Sequence, residues 1–153
     1  FYLFKALMAP VLWASFAFWL SARKTELAGW VGWLGVIGTA ALCFHVVALG
    51  LEGDGARTVR RLGTLTYFAA TFVAHIGLAH YVLSACSDAR RWLVPLLVAA
   101  NPLLNALLAI LAMGVVDDDP LENAGEWNAV LIMSLTPWVA AMVCKAAGNA
   151  KQA

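Results

Sequence analysis

Apolar residues along the chain fall into five long runs separated by short polar segments. Each run is close to the roughly 20 residues that an α-helix needs to cross the hydrocarbon core of a bilayer. None alternates apolar and polar residues as a barrel strand does, and lipid-exposed backbone must satisfy its own hydrogen bonds. The pattern therefore predicts an all-α, polytopic transmembrane helix bundle of about five spans joined by short loops. The predicted spans are about 3–21, 27–51, 62–85, 92–116 and 127–144.

Short connections predict that consecutive helices are antiparallel neighbours, so an up-and-down bundle is expected. The connections read Ala22–Glu26, Glu52–Arg61, Cys86–Arg91 and Asp117–Glu126. Residues 1–153 are therefore expected to form a single transmembrane domain. The chain begins at Phe1 rather than at Met, which leaves open a further segment upstream.

Composition agrees with the hydropathy pattern. Hydrophobic residues make up 63% of the chain and charged residues 12%, whereas a soluble domain carries roughly 25% charged residues. The expected partner of most of the surface is therefore the lipid bilayer, either of an organelle inner membrane or of a bacterial plasma membrane. With a net charge of +1 and no basic run, the sequence predicts no nucleic-acid partner.

Lys and Arg give a weak prediction of orientation, because cytoplasmic loops carry an excess of them. The side of the membrane that holds the C-terminus has six of these residues and the opposite side has four, so the C-terminus is predicted inside. The six are Arg23, Lys24, Arg90, Arg91, Lys145 and Lys151, and the four are Lys5, Arg57, Arg60 and Arg61.

Small residues form a stripe on the second predicted helix and a comparable one on the third. Such stripes allow helix backbones to approach closely in a membrane. The first interpretation is packing of the second helix on the third, and the alternative is a docking face for another subunit. The stripe residues are Ala28, Gly32, Gly35 and Thr39 on the second helix and Ala70, Ala74 and Gly77 on the third.

His45, His75 and His80 lie in or near the spans, and an ionisable group inside a membrane is a functional candidate. A turn centred near residues 55–56 places His45 level with Thr66–Tyr67, so a haem held by His45 and His75 is not expected. His75 and His80 lie about 140° apart around the helix, so no metal pair is expected. Structural hydrogen bonds are favoured, and binding of a lipid, pigment, haem or quinone through one His is the alternative.

Asn101 and Asn105 on the fourth helix share one face, and Pro102 removes one backbone hydrogen bond, which frees the carbonyl of Val98. These three residues predict either hydrogen bonding between helices or the lining of a substrate path. Cys43, Cys86 and Cys144 lack any metal-binding spacing and are interpreted as packing thiols. The acidic segment that begins at Asp117 is interpreted as helix capping, with Asp119 before Pro120.

The predicted spans contain no Asp or Glu, which argues against a carboxylate proton relay or sodium site. The leading hypothesis is a non-catalytic accessory subunit of a larger membrane complex of respiratory, photosynthetic or ATP-synthase type, associated with other membrane subunits or with itself. The first alternative is a small oligomeric transporter or channel that uses Asn101, Pro102 and Asn105. The second is a membrane enzyme or cofactor-binding protein that uses His75 or His80.

Overall fold

The computed structural model of the chain describes residues 2–112 and 119–150, and it is α-helical throughout most of that range. No strand occurs among these residues, and the prediction of an all-α fold is confirmed. The helices are α1 (Tyr2–Ala22), α2 (Leu27–Ala48), α3 (Asp54–Ala85), α4 (Leu93–Ala112) and α5 (Asp119–Ala150), with a 3₁₀ turn at Ala89–Trp92 before α4.

Four helical segments are long and apolar enough to cross a membrane, and α1 contributes a shorter apolar stretch at Pro10–Ala22. The four segments are Leu27–Ala48, Asp54–Ala85, Ala89–Leu108 and Asn128–Lys145. Large apolar side chains point outward from these helices, including Trp33 and Trp138, each of which is 72% exposed. An apolar surface of this extent is stable when lipid covers it, which identifies the chain as a membrane protein.

The chain divides into two compact units, residues 1–74 and residues 75–153. In the first unit, α1 packs against α2, and α2 runs antiparallel to the first part of α3. Leu20 and Val31 are almost fully buried in this unit. Close contacts of Gly38 with Ala70 and of Ala41 with Gly63 fix the alignment of α2 and α3.

In the second unit, α4 packs against α5, and the 3₁₀ turn contacts both helices. Two contacts establish that α4 and α5 are antiparallel. Asn105 lies beside Gly125 at one end of the pair, and Cys86, just before the 3₁₀ turn, is bonded to Cys144 at the other. Val94 and Thr136, which lie between these two contacts, are almost completely buried.

Helix boundaries differ from the predicted spans mainly at two helices: α3 begins at Asp54 rather than near residue 62, and α5 extends over Asp119–Ala150 rather than 127–144. Gly53 has a φ of +99° and separates α3 from the end of α2, which stops at Ala48 rather than at residue 51. The early start has a simple cause. Apolar runs indicate which residues lie in lipid, whereas a helix continues through polar residues as long as its backbone hydrogen bonds form.

Some predictions fall outside the described residues. The end of the fourth predicted span, 113–116, and the first two acidic residues of the following loop belong to this group, as do the side chains of Asp119 and Glu122. The helix α5 includes Asp119 and Pro120 at its start. That a single domain spans 1–153 stays a prediction.

Candidate functional sites

His45 joins α2 to α3 by hydrogen bonds. Its Nδ1 lies 3.0 Å from the backbone carbonyl oxygen of Arg60 and 2.9 Å from Oγ1 of Thr64. His45 is therefore beside Thr64 rather than level with Thr66–Tyr67, because the turn between α2 and α3 is centred earlier than the sequence pattern suggested. These contacts favour a packing role for His45 over ligand binding.

Arg60 closes the C-terminal end of α2. Its Nη1 donates hydrogen bonds of 3.0 Å to the carbonyl oxygens of both Ala48 and Leu51. The last carbonyls of a helix have no donor within that helix, so a cationic side chain satisfies them and also favours the negative end of the helix dipole. The sequence predicted Arg60 only as a charged residue in a loop, because the early start of α3 was not predicted.

Gly63 marks the closest approach of α2 and α3. A Cβ atom at this position would lie 2.5 Å from the carbonyl oxygen of Ala41 and 2.9 Å from Cβ of His45. Real Cβ atoms essentially never make such contacts, so a side chain here would force the two helices apart. The predicted small-residue face did not include Gly63.

Gly35, which belongs to the predicted stripe on α2, and Gly38, which does not, face two different neighbours. A Cβ at Gly35 would lie 2.8 Å from the indole ring of Trp13, so Gly35 faces α1. Gly38 faces α3 instead, where a Cβ would meet Ala70 at 3.4 Å and the ring of Tyr67 at 3.6 Å. The prediction that Gly35 packs on the third helix is therefore wrong, because α1 occupies that side of α2.

Gly32, which belongs to the predicted stripe, and the nearby Gly29 both face open space at the start of α2. A Cβ at Gly29 or Gly32 would meet no atom within 4 Å among the described residues. Further along, Thr39 has a buried Oγ1 with no hydrogen-bond partner in that part of the chain, and Ala28 is half-buried. On α3, Ala74 is buried and Gly77 is half-buried, and their role in packing on α2 stays a prediction.

His75 and His80 occupy different environments in the second unit. His75 is only 5% exposed, whereas His80 is exposed. Both lie on the continuous helix α3, where five residues correspond to a rotation of about 140°. Within the described ranges, no group of three or more His, Cys, Asp or Glu side chains is placed to hold a metal ion.

Asn101 and Asn105 are paired on one face of α4, as their spacing predicts. The side-chain amide nitrogen of Asn105 donates to the backbone oxygen of Asn101 at 2.9 Å and to its Oδ1 at 2.8 Å. Asn101 is buried and Asn105 is half-buried, while Pro102 is exposed. Pro102 therefore does not share a lining surface with the two asparagines.

The asparagine pair faces α5 at Gly125. A Cβ on Gly125 would lie 3.0 Å from Oδ1 of Asn105, so the glycine leaves room for the amide. Asn128, one turn further along α5, has a buried Nδ2 with no acceptor among the described residues. The hydroxyls of Ser134 and Thr136 donate to carbonyls one turn earlier in α5 and are satisfied within that helix.

Cys86 and Cys144 form a disulfide bond, with their Cα atoms 5.5 Å apart. The prediction that all three cysteines are packing thiols is therefore wrong for these two, and Cys43 alone is a free, exposed thiol. The alternating spans contained a usable signal, because they place residues 86 and 144 at the same end of their helices. Cysteine spacing along the sequence could not reveal it, since 58 residues separate the pair.

Asp88 stabilises the connection between α3 and α4, next to the disulfide, by hydrogen bonds to Arg90. Its carboxylate accepts hydrogen bonds from the backbone N–H of Arg90 at 2.7 Å and from the Arg90 guanidinium at 2.8 Å and 3.1 Å. These bonds lower the pKa of Asp88 from 3.8 to about 2. Arg91 lies close to the carbonyl oxygens of Leu83 and Cys86, at 3.4 Å from each. The two arginines thus stabilise the connection between α3 and α4.

The chain matches no model of a known protein family, and no curated protein or solved structure is significantly similar to it. Its function must therefore be inferred from its own residues.

Proposed function

We propose that the chain is a non-catalytic accessory subunit of a larger multisubunit membrane complex of respiratory, photosynthetic or ATP-synthase type. Polar side chains within the described spans support this proposal because their hydrogen bonds are made to groups of the chain itself, either between two helices or within one helix. His45 joins α2 to α3, and Asn105 bonds to Asn101 within α4. Polar side chains that are already hydrogen-bonded within the chain are poorly available for catalysis or transport.

The single observation that carries the proposal is the open glycine surface at the start of α2, formed by Gly29 and Gly32. A Cβ at either glycine would meet no other described atom within 4 Å, whereas a Cβ at Gly35 or Gly38 further along the helix would meet a neighbouring helix. Trp30 and Trp33 beside this surface are 66% and 72% exposed. Glycines in a membrane helix admit a second helix at short distance, and exposed tryptophans supply contact area. We propose that a helix of another subunit occupies this surface.

The proposal predicts that replacing Gly32 by Leu detaches the chain from its complex without unfolding it. The larger side chain would fill the space that a partner helix needs, while its Cβ would meet no atom of the described chain within 4 Å. Membranes containing the tagged chain would be solubilised in a mild detergent and separated by native electrophoresis, and co-migrating proteins would be identified by mass spectrometry. Wild-type protein should migrate in an assembly that contains other subunits, and the Gly32→Leu variant should migrate alone.

Ala40→Leu is the matched control, because Ala40 lies on the same helix and is exposed. This variant should remain in the assembly. A wild-type chain that migrates as a stable monomer, or only with copies of itself, would contradict the proposal.

The orientation of the chain within the complex is a finer question. The distribution of Lys and Arg, at six against four, predicts the C-terminus inside. This difference is small, and the disulfide at the same end of the chain provides a separate criterion.

A further inference from the structure

We infer that the end of the second unit that carries Cys86 and Cys144 faces an oxidising compartment, such as a periplasm, an intermembrane space or a lumen. The inference rests on the disulfide and its position, and it does not depend on the proposed role in a complex. Cys86 follows the last residue of α3, and Cys144 lies near the end of the apolar part of α5. Both cysteines therefore lie at one end of their helices, next to the polar connection that contains Asp88.

Disulfides persist in oxidising compartments and are rare where glutathione and thioredoxin keep thiols reduced. Forming this bond removes two protons and two electrons from the two thiols, and an oxidant must accept them. The chemical class that fits is a thiol–disulfide oxidoreductase. One thiolate of the chain attacks the oxidoreductase disulfide to form a mixed disulfide, the second attacks the chain's sulfur in that mixed disulfide, and the oxidoreductase leaves as a dithiol. Such exchange requires the cysteines to meet the oxidant on its own side of the membrane.

Burial indicates that this disulfide is structural. Cys86 is 5% exposed and Cys144 is 7% exposed. Buried thiols are inert toward exchange, whereas redox-sensing cysteines are accessible. The oxidoreductase must therefore act before α5 has packed into place, during insertion and folding. Because the bond forms once and is then buried, its presence indicates the compartment in which this end of the chain folded.

Basic residues near the disulfide weaken the opposite prediction of orientation. Arg90 is paired with Asp88, and Arg91 Nη1 approaches two backbone carbonyls at the end of α3. Both arginines thus have a structural role at this position whichever compartment it faces. A difference of two basic residues between the sides is a weak signal for insertion. The disulfide is the stronger criterion, because it would not form in a compartment that keeps thiols reduced.

The first measurement tests the bond itself. Protein with Cys43→Ser would be expressed in bacterial cells and denatured in the presence of a maleimide of large mass, which reacts with any free thiol. Without reduction, no maleimide should be added, and after reduction two should be added. Cys86→Ser in the same background should add one maleimide without reduction. Free thiols at both positions of the unreduced protein would overturn the inference.

The second measurement tests the orientation with two single cysteines at the opposite ends of α3, in a background where all three native cysteines are serine. Ser87→Cys lies in the exposed connection after α3, and Thr58→Cys lies exposed near its start. A membrane-impermeant maleimide added to intact cells should label Ser87→Cys, and it should label Thr58→Cys only after permeabilisation. The reverse pattern would overturn the inference.

A third measurement uses the chain with its native cysteines, so that the inference remains testable if the serine background does not insert. Alkaline phosphatase fused after the C-terminus requires an oxidising compartment to form its own disulfides. The phosphatase fusion should be active. A fluorescent protein that matures in the cytoplasm but not after export through the general secretory route should be dark when it is fused at the same position. An inactive phosphatase together with a bright fluorescent fusion would overturn the inference.

Discussion

At the scale of single residues, Gly63 sets how closely α2 and α3 approach. We expect Gly63→Ala to destabilise the protein by about 1–3 kcal/mol, because overpacking of a tight contact costs that much. The new Cβ would meet the backbone oxygen of Ala41 at 2.5 Å, and backbone cannot move aside as a flexible side chain can. The measurement is reversible unfolding in micelles, followed by circular dichroism as a denaturing detergent is added.

Gly32→Ala provides the control for this prediction, since both glycines are inside helices and Gly32 faces open space. Alanine has the higher helix propensity, so this variant should be unchanged or slightly stabilised, by less than about 1 kcal/mol. Equal effects of the two substitutions would show that helix propensity, rather than the contact with Ala41, decides the outcome.

Residue types indicated which side chains were candidates for packing or function, but not which atoms they would contact. The i, i+4 spacing of Asn101 and Asn105 correctly predicted a shared face, because both residues lie on one helix. The contact of Gly63 with Ala41 and the bond between Cys86 and Cys144 were missed. Each of these depends on how one helix is aligned with another, and hydropathy along a single chain contains little information about that alignment.

At the scale of elements, the junction between α2 and α3 depends on Arg60. We expect Arg60→Gln to destabilise the protein by about 1 kcal/mol, because the carbonyls of Ala48 and Leu51 lose a charged donor. The value lies below the usual range for hydrogen bonds that involve a charged group, since Arg60 is only half-buried and water replaces part of what is lost. Hydrogen exchange should show faster opening of the last turn of α2.

Arg61→Gln removes the same charge at the next position, where the side chain is exposed. Exchange at the end of α2 should stay as in the wild-type protein. If both variants opened this turn equally, the net charge of the segment would explain the effect and the specific hydrogen bonds would not.

The existence and type of the elements followed from the sequence, while their ends did not. Long apolar runs gave α2 and α4 to within a few residues of their observed starts, Leu27 and Leu93. The start of α3 was missed because its first turns contain Arg57, Arg60 and Arg61, which hydropathy interprets as a loop. Helical hydrogen bonding and burial in lipid are separate conditions, and only the second was visible in the pattern.

At the scale of the whole molecule, the strongest test of the membrane assignment is a charge placed on an exposed apolar position. Leu103 lies in the middle of α4 and is 69% exposed. On a soluble protein, Leu103→Arg would replace an exposed apolar side chain by a well-hydrated one and would be tolerated. In a membrane span, arginine near the helix centre opposes insertion by about 3 kcal/mol. We therefore expect Leu103→Arg to lower the fraction of the chain that integrates.

Leu51→Arg is the control, because Leu51 is 57% exposed but lies beyond the end of α2, outside the apolar segments. Membranes from cells that produce each variant would be extracted with alkaline carbonate, and the protein that resists extraction would be measured. Leu51→Arg should remain in the membrane like the wild-type chain, while Leu103→Arg should be extracted or degraded. Full retention of Leu103→Arg would mean that this side of α4 is covered by water or protein rather than lipid. The outcome thus distinguishes exposure to lipid from exposure to water, which the accessibility of a side chain alone does not do.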